Sequence, residues 1–297
     1  MQLRMCRTAE LEIAYEESGP PHGFPVVFLH GFPDDPRTWD GIVERLAGTG
    51  IRTIAPYLRG YGHTRFLEGN ADHSGQQAAL GKDLLDLIDA LGIEQAGLVG
   101  YDWGGRAACI AAALWPERVR WLVSIGGYHI QDIASAHRPA HPKQEFRFWY
   151  QWYFGTERGA QGLTENRHEL CKLLWQLWSP NLRFTDDQYI ETSRSFDNIH
   201  FVDVVLHCYR HRYRLAPGSD KFASIERKLA ERPRIAVPSI VLHGGTDGCK
   251  PPDDSKAHDA YFTGPYERRI IDAAGHILSR EDPAAVTAAI LELIGRS

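Results

Sequence analysis

The 297-residue sequence predicts an α/β fold: a mostly parallel central sheet with helices on both faces, interrupted by a helical insertion. Three observations carry this. Short apolar runs bounded by Gly or Pro alternate with helix-like segments up to about residue 129, a rhythm that suits parallel strands joined by crossover helices. Over residues 130–233 the rhythm stops, and Trp, Tyr, Arg and His are frequent without any buried-strand pattern. After residue 234 it resumes. The expected division is a core of residues 1–129 and 234–297 carrying a helical cap of residues 130–233.

The first expected strand is LEIAYEES (11–18), whose alternation marks a half-exposed strand. FPVVFLHGFP (24–33) is a buried strand stopped by glycine and proline. TWDGIVERLAGTG (38–50) reads as a helix, IRTIAPYLRGYG (51–62) as a strand entering a glycine loop, and QQAALGKDLLDLIDALG (76–92) as an amphipathic helix. Strand AGLVG (96–100), helix GGRAACIAAALWPERV (104–119) and strand RWLVSIGG (120–127) follow. In the cap, FRFWYQWYF (146–154), ELCKLLWQLW (169–178) and FVDVVLHCYRHRYRL (201–215) read as helices. The core returns with strand VPSIVLHGG (237–245), a helix after Pro251-Pro252, strand YERRIIDAAGH (266–276) and helix PAAVTAAILELIG (283–295).

Composition excludes several classes of function. A net charge of −5 supplies no basic footprint for nucleic acid or anionic membrane. No apolar run approaches the roughly 20 residues of a membrane span. The N-terminal stretch is charged throughout, so no signal peptide is expected. Cys6, Cys109, Cys171, Cys208 and Cys249 are odd in number and lack CxxC spacing, which argues against a disulfide framework and for a reduced, cytoplasmic setting. His207 and His211 share a helix face but have neither an H-E-x-x-H pattern nor a clear third ligand, so no metal is expected. HGGTDG lacks the Lys and Ser/Thr of a phosphate loop, and Cys249 reads as a plain loop residue. No cofactor is expected; the partner is a small molecule, and a homodimer is left open.

The chemistry centres on GYDWGG (100–105), where Asp102 occupies the nucleophile position of a strand–turn–helix elbow. Asp247, after an apolar strand, and His276, after another, complete the order nucleophile, acid, histidine. A carboxylate with an ordinary pKa of about 3.9 is ionised at neutral pH. It can therefore displace a leaving group at an sp³ carbon and form an alkyl ester. His276 would then activate water against that ester, with Asp247 fixing its tautomer.

On HGFP (30–33), LRGYG (58–62), GYDWGG (100–105), PERV (116–119), HGGTD (243–247) and AGH (274–276), the chain resembles the aspartate-nucleophile branch of the α/β-hydrolases over nearly its whole length. The resemblance implies an α/β-hydrolase fold with a cap. It also implies an oxyanion hole from the backbone N–H groups of Phe32 and Trp103. Epoxide hydrolases carry two cap tyrosines that protonate the epoxide oxygen, and the resemblance marks Tyr150 and Tyr209, with Tyr153 and Tyr213 as close competitors. Haloalkane dehalogenases share Trp103 but pair it with an Asn where this chain has Phe32, or with a second Trp in the cap. Haloacetate dehalogenases carry arginines one and four positions after the nucleophile, and this chain has Trp103 and Arg106. Arg106 therefore either lines a pocket for an acidic substrate or pairs with a carboxylate of the cap or a loop; with Trp103 and Trp149 it is a candidate substrate contact. The leading expectation is an epoxide hydrolase forming a vicinal diol through an ester on Asp102, with a dehalogenase as runner-up. Ester hydrolysis and ligand binding without catalysis rank lower.

Overall fold

In the computed structural model, which describes residues 1–67 and 72–296, nine strands form one sheet. They are β1 (Gln2–Arg7), β2 (Leu11–Ser18), β3 (Phe24–Leu29), β4 (Ile51–Pro56), β5 (Arg65–Phe66), β6 (Ala96–Tyr101), β7 (Val119–Ile125), β8 (Ser239–Gly244) and β9 (Tyr266–Ile271). Their order is β1-β2-β4-β3-β6-β7-β8-β9, with β5 pairing to β2. Pairs involving β2 are antiparallel, and every pair from β4 through β9 is parallel. The strands read from the sequence are present. β1 was not among them, because five of its six residues are exposed and an edge strand without a buried face leaves no alternation to read. β6 and β8 are buried at every position, as strands covered on both faces must be.

The core helices are α1 (Asp40–Arg45), α2 (Gln77–Ala90) and α3 (Asp102–Leu114). α1 is shorter than its sequence suggested, since Gly48 and Gly50 take positive φ just beyond it. Between β7 and β8 stand α4 (Pro142–Arg147), α5 (Trp149–Phe154), α6 (Glu157–Trp178), α7 (Asp186–Ser193), α8 (Phe201–Arg212) and α9 (Ala223–Ala230). The expected single helix at FRFWYQWYF is two short ones meeting at Phe148. After Pro251-Pro252 come 3₁₀ turns rather than an α-helix. α10 (Leu278–Glu281) and α11 (Pro283–Gly295) close the chain. No helix among the described residues is long and apolar enough to cross a membrane.

The insertion docks on the loops that leave the carboxyl ends of the parallel strands, where open α/β sheets place their ligands. Trp175 of α6 donates its indole N–H to the Pro33 carbonyl after β3 at 2.6 Å. The Trp178 carbonyl accepts from Gly248 N, after β8, and from His276 N, after β9, each at 3.0 Å. Ser195 donates to Asp35 at 2.7 Å. The space between sheet and insertion is thus walled by residues from both.

Candidate active site

Asp102 lies at the junction of β6 and α3 with φ of 47°, in the left-handed region that costs a non-glycine residue of order 1–3 kcal/mol. The turn closes because its neighbours are glycines. A Cβ on Gly104 would lie 2.0 Å from the Leu29 carbonyl oxygen, and one on Gly31 would lie 2.5 Å from the Asp102 Cβ. Phe32 N–H donates to Asp102 Oδ1 at 3.0 Å. The carboxylate also stands in the first turn of α3, where the helix dipole favours negative charge.

His276 Nδ1 stands 2.8 Å from Asp247 Oδ2, and its Nε2 stands 3.8 Å from Asp102 Oδ2, too far for a direct hydrogen bond. Asp247 Oδ1 accepts from the N–H groups of Cys249 and Lys250 at 2.7 and 2.8 Å. With that oxygen occupied, the second faces the imidazole and favours the tautomer protonated on Nδ1. All three side chains are buried. Burial alone would lower the His276 pKa; the charges of Asp247 and Asp102 outweigh it and push it up to about 9. Burial alone would raise Asp102; His276, Arg106 and Lys250 outweigh it and hold the carboxyl well below its usual range. Both directions favour a carboxylate beside an imidazolium in the resting pair.

Facing this pair is a box of rings around Phe32, which is fully buried and precedes a cis peptide bond to Pro33. Tyr209 meets it edge-on at 5.5 Å and Tyr150 stacks at 6.4 Å, while the two tyrosines meet each other at 5.3 Å. Gln151 donates to the Tyr150 hydroxyl at 2.6 Å. Burial first, then nearby acidic groups, Asp102 among them, raise both phenols well above their ordinary pKa, so they remain neutral O–H donors. The competitors are engaged elsewhere: Tyr213 donates to Gln151 at 2.9 Å and packs on Trp152, and Tyr153 packs against Trp149 and Phe154.

Trp103 stacks on Phe32 at 5.7 Å, its indole N–H buried without a partner among the described residues. Arg106 is buried and pairs with no carboxylate among the described residues; its Nη1 reaches the Cys208 sulfur at 3.7 Å and its Nε is unpartnered. The expected alternative of a loop or cap carboxylate is therefore not what holds it. Trp149 lies on a separate cavity of about 540 Å³ with Trp178, Phe146 and Gly248. His207 and His211 stack parallel at 5.7 Å, and His207 bonds to Gly75 N and the Pro217 carbonyl.

Four contributors escaped the sequence reading. Cys249 and Lys250 orient Asp247 through backbone N–H groups, an Asx-type turn that an Asp before a Gly could have suggested. Gly31 gives Asp102 its room. Trp178 packs its ring on His276 at 5.2 Å and on Tyr150 at 5.0 Å, a role set wholly by tertiary packing.

Comparison with known proteins places the chain in a family. The family model described as the alpha/beta hydrolase fold matches residues 25–283. A crystal structure from Klebsiella pneumoniae, of a protein provisionally assigned as an epoxide hydrolase, superposes with a TM-score of 0.96 at 41% identity, covering 98% of this chain and 97% of that one. Epoxide hydrolase A of Mycobacterium tuberculosis is 28% identical over 98% of this chain and 96% of its own length. The AB hydrolase superfamily protein YfhM of Bacillus subtilis is 27% identical over 97% of this chain and 94% of its own.

Proposed function

Because this chain belongs to the α/β-hydrolase fold family and carries a carboxylate at the elbow, we propose that it is an epoxide hydrolase working through an ester on Asp102. One observation carries the reading: Asp102 lies against Phe32 N–H, and the Phe32 ring is flanked by two buried, neutral tyrosines of the insertion. In this reading residues 130–233 act as the cap that supplies those donors.

Asp102 attacks an epoxide carbon, the C–O bond breaks, and the developing alkoxide takes a proton from Tyr150 or Tyr209. Esterification removes the charge of Asp102, one of the anions that hold the proton on His276. The imidazole pKa therefore falls, its proton passes to the tyrosinate left by the first step, and the now neutral His276 can take a proton from water. Water adds to the ester carbonyl, the N–H groups of Phe32 and Trp103 hold the oxyanion, and collapse releases the vicinal diol. No cofactor enters these steps. Five free, buried cysteines support a reducing compartment as its setting.

The test is a single turnover of an epoxide in water labelled with heavy oxygen. The expected result is unlabelled diol and label in the peptide containing Asp102. Labelled diol from the first turnover means that water attacks the epoxide directly, and the reading falls. The unpartnered Trp103 indole favours halide release as the second reading, but Phe32 offers no second side-chain donor. Halide production outpacing diol production in parallel assays would reverse the order.

A further inference from the structure

A cavity of about 580 Å³ lies between insertion and core and is lined by Gly126, His129, Phe148, Arg212, Tyr213 and Lys250 among others. Two cations face it without a carboxylate in hydrogen-bond or ion-pair contact among the described residues. Lys250 Nζ makes no hydrogen bond or ion pair among the described residues. Arg212 packs on the faces of Phe148 and Tyr213, at 5.0 and 5.5 Å, and likewise has no carboxylate partner. The carboxylates that also line the cavity are occupied or exposed. Glu145 accepts from Ala140 N and Trp152 Nε1, Asp132 accepts from Ser135 N and faces Arg232 at 3.7 Å, and Asp254 is exposed at the rim, where it feels the charge of Lys250 without an ion-pair contact to it. Cations held partly out of water without partners are costly unless a ligand supplies the opposite charge. The volume suits an organic molecule rather than a lone ion.

Lys250 ties this cavity to the reacting centre. Its backbone N–H holds Asp247, and its charge acts on Asp102. The adjacent Cys249 sulfur lies 4.0 Å from the Tyr150 hydroxyl, and Gln144 of α4 clamps the turn by donating to the Cys249 carbonyl at 3.0 Å. Buried Arg106, with its unpartnered Nε, adds positive charge beyond Asp102.

We propose that the substrate is an epoxide bearing a carboxylate, whose anion sits between Lys250 and Arg212 and whose ring then faces Asp102; this rests on the epoxide hydrolase reading above. Charge-assisted hydrogen bonds of this kind discriminate an anion from a neutral isostere by roughly tenfold or more.

The experiment uses phenylglycidate and its analogue with methyl in place of carboxylate, together with the two corresponding diols as unreactive probes. The expected results are that wild-type protein binds the carboxylate diol at least about tenfold tighter by calorimetry, and that its kcat/KM ratio favours phenylglycidate. Lys250→Met and Arg212→Met, which keep both backbone N–H groups, should each collapse the binding preference and the ratio. Equal binding of the two diols overturns the proposal. So does a Lys250→Met effect that is equal for both epoxides, since that would place its action on Asp102 alone. If neither epoxide is opened while the carboxylate diol still binds preferentially, the reaction is wrong and the anion site stands.

Discussion

The elbow and the helical insertion each hold side chains that the proposed reaction would use, and they do it by different means. Asp102 is set by the backbone, through a left-handed φ of 47°, a glycine at its flank and one N–H donor. Tyr150 and Tyr209 are set by rings: Phe32, Phe154, Trp178 and Trp103 surround them at centroid distances of 5.0–6.4 Å. Backbone placement is stiff and intolerant of single atoms. Ring placement spreads over many contacts and absorbs change at any one of them.

The largest effect expected from that contrast is at Gly31. Gly31→Ala drives a methyl into Asp102, and displacing a reacting group by about 1 Å costs on the order of 100-fold in turnover. Steady-state kinetics on protein with an unchanged circular dichroism spectrum checks this. Activity within a few-fold of wild type would mean that the elbow yields as readily as the insertion.

A smaller effect concerns the charges around His276. Its pKa is raised by folding from the ordinary 6.5 to about 9, so its stabilising contribution is complete below about 6.5 and is lost as pH rises through about 9. Thermal unfolding followed across that window should show a falling midpoint in the wild type and a flatter profile in His276→Gln. Parallel profiles would mean that the core carboxylates do not hold the proton.

The smallest effect belongs to the insertion. Phe154→Leu, at a fully buried ring touching Phe32, Tyr150 and Tyr209, should cost only about 1–2 kcal/mol and leave diol formation within roughly tenfold. A loss as large as that of Gly31→Ala would erase the distinction between the two regions.

The same contrast explains what could be read from the sequence. Asp102, Asp247 and His276 each follow a short apolar run beside small residues, so spacing and order singled them out as candidates before any coordinates. The strands and the closing helix were legible for the same reason: a periodic burial pattern is written locally. β1 carried no such pattern because it is an exposed edge. The break at Phe148 and the 3₁₀ turns after Pro251 depend on how segments pack, which composition does not encode. Tyr150 and Tyr209 came through family resemblance and not through local physics, since Tyr153 and Tyr213 sit in equally aromatic surroundings. Trp178 had no signal at all, because its part is played against His276 and Tyr150, which only the tertiary fold brings to it.

The bond from the Trp175 indole to the Pro33 carbonyl has a mechanical side. Pro33 directly follows Phe32, whose N–H faces Asp102, so the insertion grips the strand of chain that aims this donor. An insertion that swings away to admit substrate must break or drag that tether, and access and aim are therefore opposed. A molecule whose remote parts draw the insertion closed tightens the donor as it does so. Under the proposed mechanism its distant contacts would then appear in kcat rather than only in KM.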